Sequence, residues 1–200
     1  MREIIAILRG VKSGEVERIA EVLVKAGIDK IEVPLNSPDP LKSIGILAKG
    51  FGHHAHVGAG TVLSVQQVHD VHNAGGTVVV SPNCNVDVIK ASRLNGQLSY
   101  PGVFSATECF AAIDAGASGL KLFPASVLGV DGLKALKAVV PADVPFYGVS
   151  GIGSADFSLW RSAGITGFGI GSSLYKPGMS SDQVALHAQD IVSAYDAAFD

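Results

Sequence analysis

Two charged residues sit where charge is costly. Lys121 lies in Gly119-Leu120-Lys121-Leu122-Phe123-Pro124, and Glu32 lies in Lys30-Ile31-Glu32-Val33-Pro34. Both runs read as short, buried β-strands. Side chains alternate across a strand, so Leu120 and Leu122 share one face and Lys121 takes the other. Ile31 and Val33 flank Glu32 in the same way. A buried ammonium without a partner is strongly disfavoured, so such a group pairs or loses its proton. A neutral lysine amine is a nucleophile towards carbonyl carbon. For Lys121 alone, the alternatives are an ion-paired core lysine or a strand-end lysine reaching water. A second buried charge in the same setting moves the balance towards chemistry.

The elements that must position them come from a weak internal repeat. Lys25-Ala26-Gly27-Ile28-Asp29, Asn73-Ala74-Gly75-Gly76-Thr77, Asp114-Ala115-Gly116-Ala117-Ser118 and Ser162-Ala163-Gly164-Ile165-Thr166 each precede an apolar run. Each reads as a helix end, a glycine C-cap, a short loop and a strand. One βα unit needs only about half the spacing between these glycines, so a second unit is expected between each pair. Ile4 to Leu8, His56 to Gly58, Leu98 to Tyr100 and Pro145 to Val149 supply the missing strands. Val16, Ile19, Ala20 and Leu23 fit one amphipathic helix, and Val65, Val68 and Val71 after Ser64 fit another. Eight strands alternating with eight helices predict a compact (β/α)8 TIM barrel of the α/β class, one catalytic domain over residues 1–200. The runner-up is an open doubly wound sheet, but no Gly-x-Gly-x-x-Gly opens a helix after the first strand.

Active sites in such barrels lie at the C-terminal strand ends. Those ends read Arg9, Glu32, Thr61, Ser81-Pro82-Asn83, Gly102, Lys121, Ser150-Gly151 and Gly171-Ser172. By parity Arg9 shares the face of Ile5 and Ile7, and all three are placed to point inward. Its alternative is to cap strand-end carbonyls or to pair with Glu32. The loops Ser150-Gly151-Ile152-Gly153-Ser154 and Gly169-Ile170-Gly171-Ser172-Ser173 follow the seventh and eighth strands. Phosphate groups bind at these two positions of the fold through backbone N–H groups. Thr61 is either a turn residue or a hydroxyl for a substrate oxygen. Val149 at the seventh strand end faces either the barrel or the helices. The histidines make no metal site: His53, His54 and His56 fall at the opposite end, and His69 and His72 read as a solvated helix face.

The composition narrows the class. The chain has 200 residues, 48% of them hydrophobic and 16% charged, which suits a folded enzyme rather than a disordered chain. A net charge of -3 with no basic stripe argues against nucleic acid. No apolar segment approaches membrane-spanning length. Met1-Arg2-Glu3-Ile4 runs directly into a strand-like segment without a signal-peptide pattern, and Cys84 and Cys109 form no framework. A cytoplasmic setting is therefore expected.

Four motifs occur in order along essentially the whole chain: Ile4-Ile5-Ala6-Ile7-Leu8-Arg9-Gly10, Ile31-Glu32-Val33-Pro34-Leu35-Asn36-Ser37-Pro38, Gly58-Ala59-Gly60-Thr61-Val62 and Leu120-Lys121-Leu122-Phe123-Pro124. Together they resemble the 2-keto-3-deoxy-6-phosphogluconate/phosphogalactonate aldolase family. The Leu-Asn-Ser-Pro segment is similar to the phosphogalactonate branch, with Asn36 where the other branch carries arginine. The resemblance implies a class I, metal-independent aldolase without a cofactor. Lys121 would form the covalent imine and Glu32 would be the acid/base. Arg9 and Thr61 would hold the keto-acid end, and the backbone around Ser150-Gly151 and Gly171-Ser172 the phosphate. The substrate would be a phosphorylated 2-keto-3-deoxy sugar acid, cleaved to pyruvate and glyceraldehyde 3-phosphate, and the assembly a homotrimer. An inward Val149, which offers no hydroxyl, would favour the galactonate-derived substrate over its C4 epimer, the gluconate-derived alternative. The competing class is a non-catalytic sugar-phosphate-binding barrel, which needs neither Lys121 nor Glu32. An isomerase or epimerase on the same fold would gain little from a buried lysine.

Overall fold

The computed structural model describes residues 2–200, so Met1 of the expected domain lies outside the described residues. The chain alternates strictly at first: β1 (Ile4–Ile7), α1 (Val16–Ala26), β2 (Lys30–Pro34), α2 (Pro40–Phe51), β3 (His56–Gly60), α3 (Val65–Asn73), β4 (Val78–Val80) and α4 (Val86–Leu94). β5 (Leu98–Tyr100) and β6 (Gly102–Val103) then follow without a helix between them. α5 (Ala106–Ala115), β7 (Leu120–Leu122), α6 (Ala125–Lys137), β8 (Phe146–Val149), α7 (Phe157–Ser162), β9 (Gly167–Ile170) and α8 (Ser181–Phe199) complete the chain. All pairings are parallel, in the order β5-β4-β3-β2-β1-β9-β8-β7-β6.

This order closes a barrel. β5 pairs with β4 and β6 pairs with β7, yet only Pro101 separates β5 from β6. They are two halves of one strand that changes partner at a residue with no N–H to donate. The Pro101 carbonyl still accepts from the Lys121 amide at 2.9 Å. The expected fifth strand therefore extends past Tyr100, and Gly102 lies within the sheet rather than beyond it. A methyl at Gly102 would overlap the Pro82 backbone, which explains the small residue.

The four repeat glycines behave as the sequence indicates. Gly27, Gly75, Gly116 and Gly164 have φ of 87, 86, 90 and 93°, the left-handed conformation that ends a helix at least cost in glycine. In α1, Val16, Ile19, Ala20 and Leu23 are all buried. In α3 Ser64 caps the helix by accepting from the Gln67 amide, and Val68 and Val71 are buried. Val65 departs from the expected pattern and is exposed.

Two cores result from strand parity. Ile4, Ala6, Leu8, Ile31, Val33, Leu120 and Leu122 face the helices and pack in the large outer core. Ile5, Val78, Val80, Tyr100 and Tyr147 fill the barrel itself. The filling also holds charge. Lys30, 5% exposed, pairs with Glu3 Oε2 at 3.0 Å, and the Tyr147 hydroxyl donates to the same oxygen at 2.7 Å. The Tyr147 and Lys30 bonds outweigh desolvation and hold the Glu3 carboxyl below its usual range. Among the described residues, no helix is long and apolar enough to cross a membrane.

Candidate active site

Lys121 and Glu32 both face the barrel interior, as alternation requires. Lys121 is 7% exposed and Glu32 2%. The register sets their levels: Lys121 is opposite Gly102 on one side and Tyr147 on the other, and Glu32 lies between Ile7 and Gly58. Lys121 Nζ sits 4.6 Å from the centre of the Phe123 ring. The contrast with Lys30 is informative. Lys30 is the ion-paired core lysine that could have explained Lys121. Lys121 itself makes no ion pair within 4.0 Å and no side-chain hydrogen bond among the described residues. Glu32 Oε2 is likewise buried with no hydrogen-bond partner.

Each group is shifted towards its neutral form. Desolvation pushes the Glu32 carboxyl up to about 7, against the pull of Lys121, Arg9 and the Gly60 amide. Desolvation lowers Lys121, with Glu32 opposing and Arg9 assisting. Burial wins over the mutual attraction in both cases because the two groups are buried without closing into an ion pair. Near neutrality the site can therefore offer both an amine lone pair and a carboxyl group that exchanges protons readily.

A cavity of about 470 Å³ opens at the same end of the barrel. Arg9, Val149, Ser150, Gly151, Gly171 and Ser172 line it. Its wall includes Ile7 and Phe123, each one side chain away from the charged pair. Val149 thus points inward, not at the helices. It stands opposite Gly169, where a methyl would press on the Val149 side chain. Arg9 does not pair with Glu32. Its Nη1 donates to Asn36 Oδ1 at 2.6 Å, and the neighbouring Gly10 amide donates to Ser37 Oγ at 2.9 Å. Thr61, Lys121 and Glu32 are not among the lining residues. Ser81 from the expected polar ring is structural, its hydroxyl donating to the Val62 carbonyl at 2.7 Å.

The strand-end backbone is unusual in two places. Thr61 has φ 58° and Ser150 has φ 79°. Both are non-glycine residues in the left-handed region, and a β-branched one there is a true outlier. Such strain clusters at sites that bind or react. Ser150 and Gly151 (φ 73°) are left-handed in succession, and a methyl at Gly151 would overlap the Ser126 side chain. Among the described residues, the amides of Gly151, Ile152, Ser172 and Ser173 donate to no protein acceptor. Four N–H groups without a protein acceptor lie in loops that line one cavity, with Arg9 and Lys176 on its wall, a donor set chemically suited to an anion. Asn36, Phe123 and Lys176 were not among the site residues read from the sequence. Asn36 stood in a recognisable motif and Phe123 beside Lys121, whereas Lys176 carried no signal.

Comparisons with known proteins give the family and the fold. The family model described as Aldolase: KDPG and KHG aldolase matches residues 1–188. A Rhizobium meliloti (strain 1021) protein named probable 2-dehydro-3-deoxy-6-phosphogalactonate aldolase is 46% identical over 99% of this chain and 93% of its own length. The Escherichia coli (strain K12) 2-dehydro-3-deoxy-6-phosphogalactonate aldolase is 40% identical over 96% of this chain and 94% of its own. Among solved structures, native KDPGal superposes with a TM-score of 0.96 at 40% identity, covering 98% of this chain and 95% of that one. The Legionella pneumophila KDPG aldolase, with pyruvate captured as a covalent carbinolamine, gives 0.82 at 27% identity over 98% and 94%. With a parallel barrel, an unpaired buried lysine inside it and these full-length likenesses, the chain belongs to the KDPG and KHG aldolase family.

Proposed function

We propose that this protein cleaves 2-dehydro-3-deoxy-6-phosphogalactonate to pyruvate and glyceraldehyde 3-phosphate through an imine on Lys121. One observation carries the reading: Lys121 is buried inside the barrel without an ion-pair partner, beside a buried Glu32 that also lacks one. A core built only for stability would have paired them, as it pairs Lys30 with Glu3.

The steps follow from the groups present. The Lys121 amine adds to the C2 ketone, and the carbinolamine loses water to give a protonated imine. Glu32, ionised, takes the proton from the C4 hydroxyl. The C3–C4 bonding pair moves to C3 and into the imine, which becomes an enamine, and glyceraldehyde 3-phosphate departs. Protonation at C3 and hydrolysis of the imine release pyruvate and restore Lys121. The imine is the electron sink, so the sequence of steps is complete without a metal or an organic cofactor. A positioned acid/base contributes about 10²–10⁴-fold.

The remaining residues take positions consistent with this scheme. Arg9, held by Asn36, would meet the substrate carboxylate. Thr61 at the end of β3 would hold the same keto-acid end. The free amides around Ser150, Gly151, Gly171 and Ser172 would take the phosphate. Inward Val149 gives the aldehyde half an apolar neighbour, which supports the galactonate-derived epimer because a hydroxyl stranded against it loses its partner. A homotrimer is the proposed assembly, to be checked by light scattering.

The test is chemical trapping. Incubation with pyruvate followed by borohydride should add one reduced pyruvyl group, mapped by mass spectrometry to the Lys121 peptide. Modification of a different lysine, or none, would overturn the mechanism.

A further inference from the structure

β3 ends at Gly60, and the space that a side chain would fill there is already taken. A methyl built on Gly60 would overlap both carboxylate oxygens and Cδ of Glu32. The obstacle is the free end of a single side chain. At Gly58, two residues earlier on the same face, a methyl would instead overlap the backbone of Val78. The two glycines therefore do different work. Gly58 lets β3 and β4 approach, and the absence of a side chain at Gly60 makes room for a carboxyl group.

Glu32 depends on that room. Its Oε2 is sealed from solvent and has no hydrogen-bond partner, so no side chain fixes its direction. The end of β3 is tied to the strand that carries Glu32: Gly60 is opposite Pro34, and the Gly60 carbonyl accepts from the Leu35 amide at 2.8 Å. Thr61, left-handed at φ 58°, turns the chain directly afterwards. Gly60 is not in the left-handed region, so its backbone does not itself require glycine.

We propose that Gly60 is a positioning residue for the proton-transfer step, its bare Cα forming the seat in which the Glu32 carboxyl group lies. The proposal rests on Glu32 being the acid/base described above. A methyl at Gly60 would displace the carboxyl end rather than the strand, because a flexible side-chain terminus yields before two hydrogen-bonded backbones do. The expected signature is a loss of kcat for cleavage with KM and imine formation preserved.

The experiment compares the parent, Gly60→Ala, Glu32→Gln and the double variant, each by borohydride trapping with pyruvate and by cleavage kinetics. Gly60→Ala should trap pyruvate on Lys121, keep KM within about 3-fold and lose about 30-fold or more in kcat, the scale of a displaced acid/base. In the Glu32→Gln background the same change should cost under about 3-fold, because coupled residues are not additive. Parental kcat in Gly60→Ala, or equal losses in both backgrounds, would overturn the proposal. Parental turnover in Glu32→Gln would instead remove Glu32 from its role, and Gly60 with it. Should Gly60→Ala fail to fold, Glu32→Ala/Gly60→Ala decides. Recovery of the parental circular dichroism supports the seat, and continued failure to fold shows that Gly60 is architectural.

Discussion

Replacing Glu32 with glutamine should change how stability depends on pH, by an amount the site fixes. Burial raises the Glu32 carboxyl from 4.5 to about 7, a figure already net of the attraction to Lys121 and Arg9. The folded protein thus binds this proton more tightly than the unfolded chain does. The stabilising contribution is whole below about pH 4.5 and is lost as pH rises to about 7. At about 1.4 kcal/mol per pH unit the loss across that window is about 3 kcal/mol. Lys121 works in the other direction. Its lowered pKa penalises the fold at low pH, and the penalty lifts as pH rises through the lowered value towards 10.5. Glutamine keeps the shape of Glu32 and removes its proton, so comparing parent and variant at each pH reads the contribution of this carboxyl together with its coupling to Lys121. Urea unfolding can be followed through Trp160, the chain's single tryptophan, which is buried in α7. Protein concentration is held constant so that any assembly contributes equally. The stability of the parent relative to Glu32→Gln should fall by about 3 kcal/mol between pH 4.5 and 8. A difference that stays flat over this range would refute the claim that burial controls Glu32.

Lys121→Met should abolish trapping and cleavage while leaving the far-ultraviolet circular dichroism parental, since methionine fills the same space without an uncompensated charge; trapping that survives would assign the imine elsewhere. Asn36→Ala frees the Arg9 guanidinium, and because both side chains are exposed the lost bond is worth about 0.5–1.5 kcal/mol, about 2- to 10-fold in KM for pyruvate exchange. An unchanged KM would show that Arg9 needs no such hold. Gly171→Leu should raise KM for the phosphorylated substrate far more than for pyruvate exchange; equal effects would put the anion elsewhere. Val149→Thr should raise kcat/KM for the gluconate-derived epimer relative to the galactonate-derived one, by about 10-fold for one hydrogen bond. A parent enzyme that prefers the gluconate-derived epimer would overturn the substrate reading.

Periodicity and short motifs were enough to determine the barrel, the inward direction of Lys121, Glu32 and Arg9, and the loops that line the cavity. These features are local: a strand alternates every two residues, and a helix ends at a left-handed glycine whatever lies across the fold. Tertiary structure decided which buried charges are paired. Lys30 stands two residues from Glu32 with the same parity, yet Glu3, remote in the chain and held by the Tyr147 hydroxyl, pairs with it, and no carboxylate does so for Lys121 among the described residues. It also decided that the fifth strand changes partner at Pro101, that Thr61 and Ser150 are left-handed, that Val149 faces the cavity, and that Gly60 vacates the space for a carboxyl group. Each of these depends on atoms brought together by barrel closure. Closure sets distances and desolvation, and with them the proton affinities on which the proposed roles of the buried lysine and the buried glutamate rest.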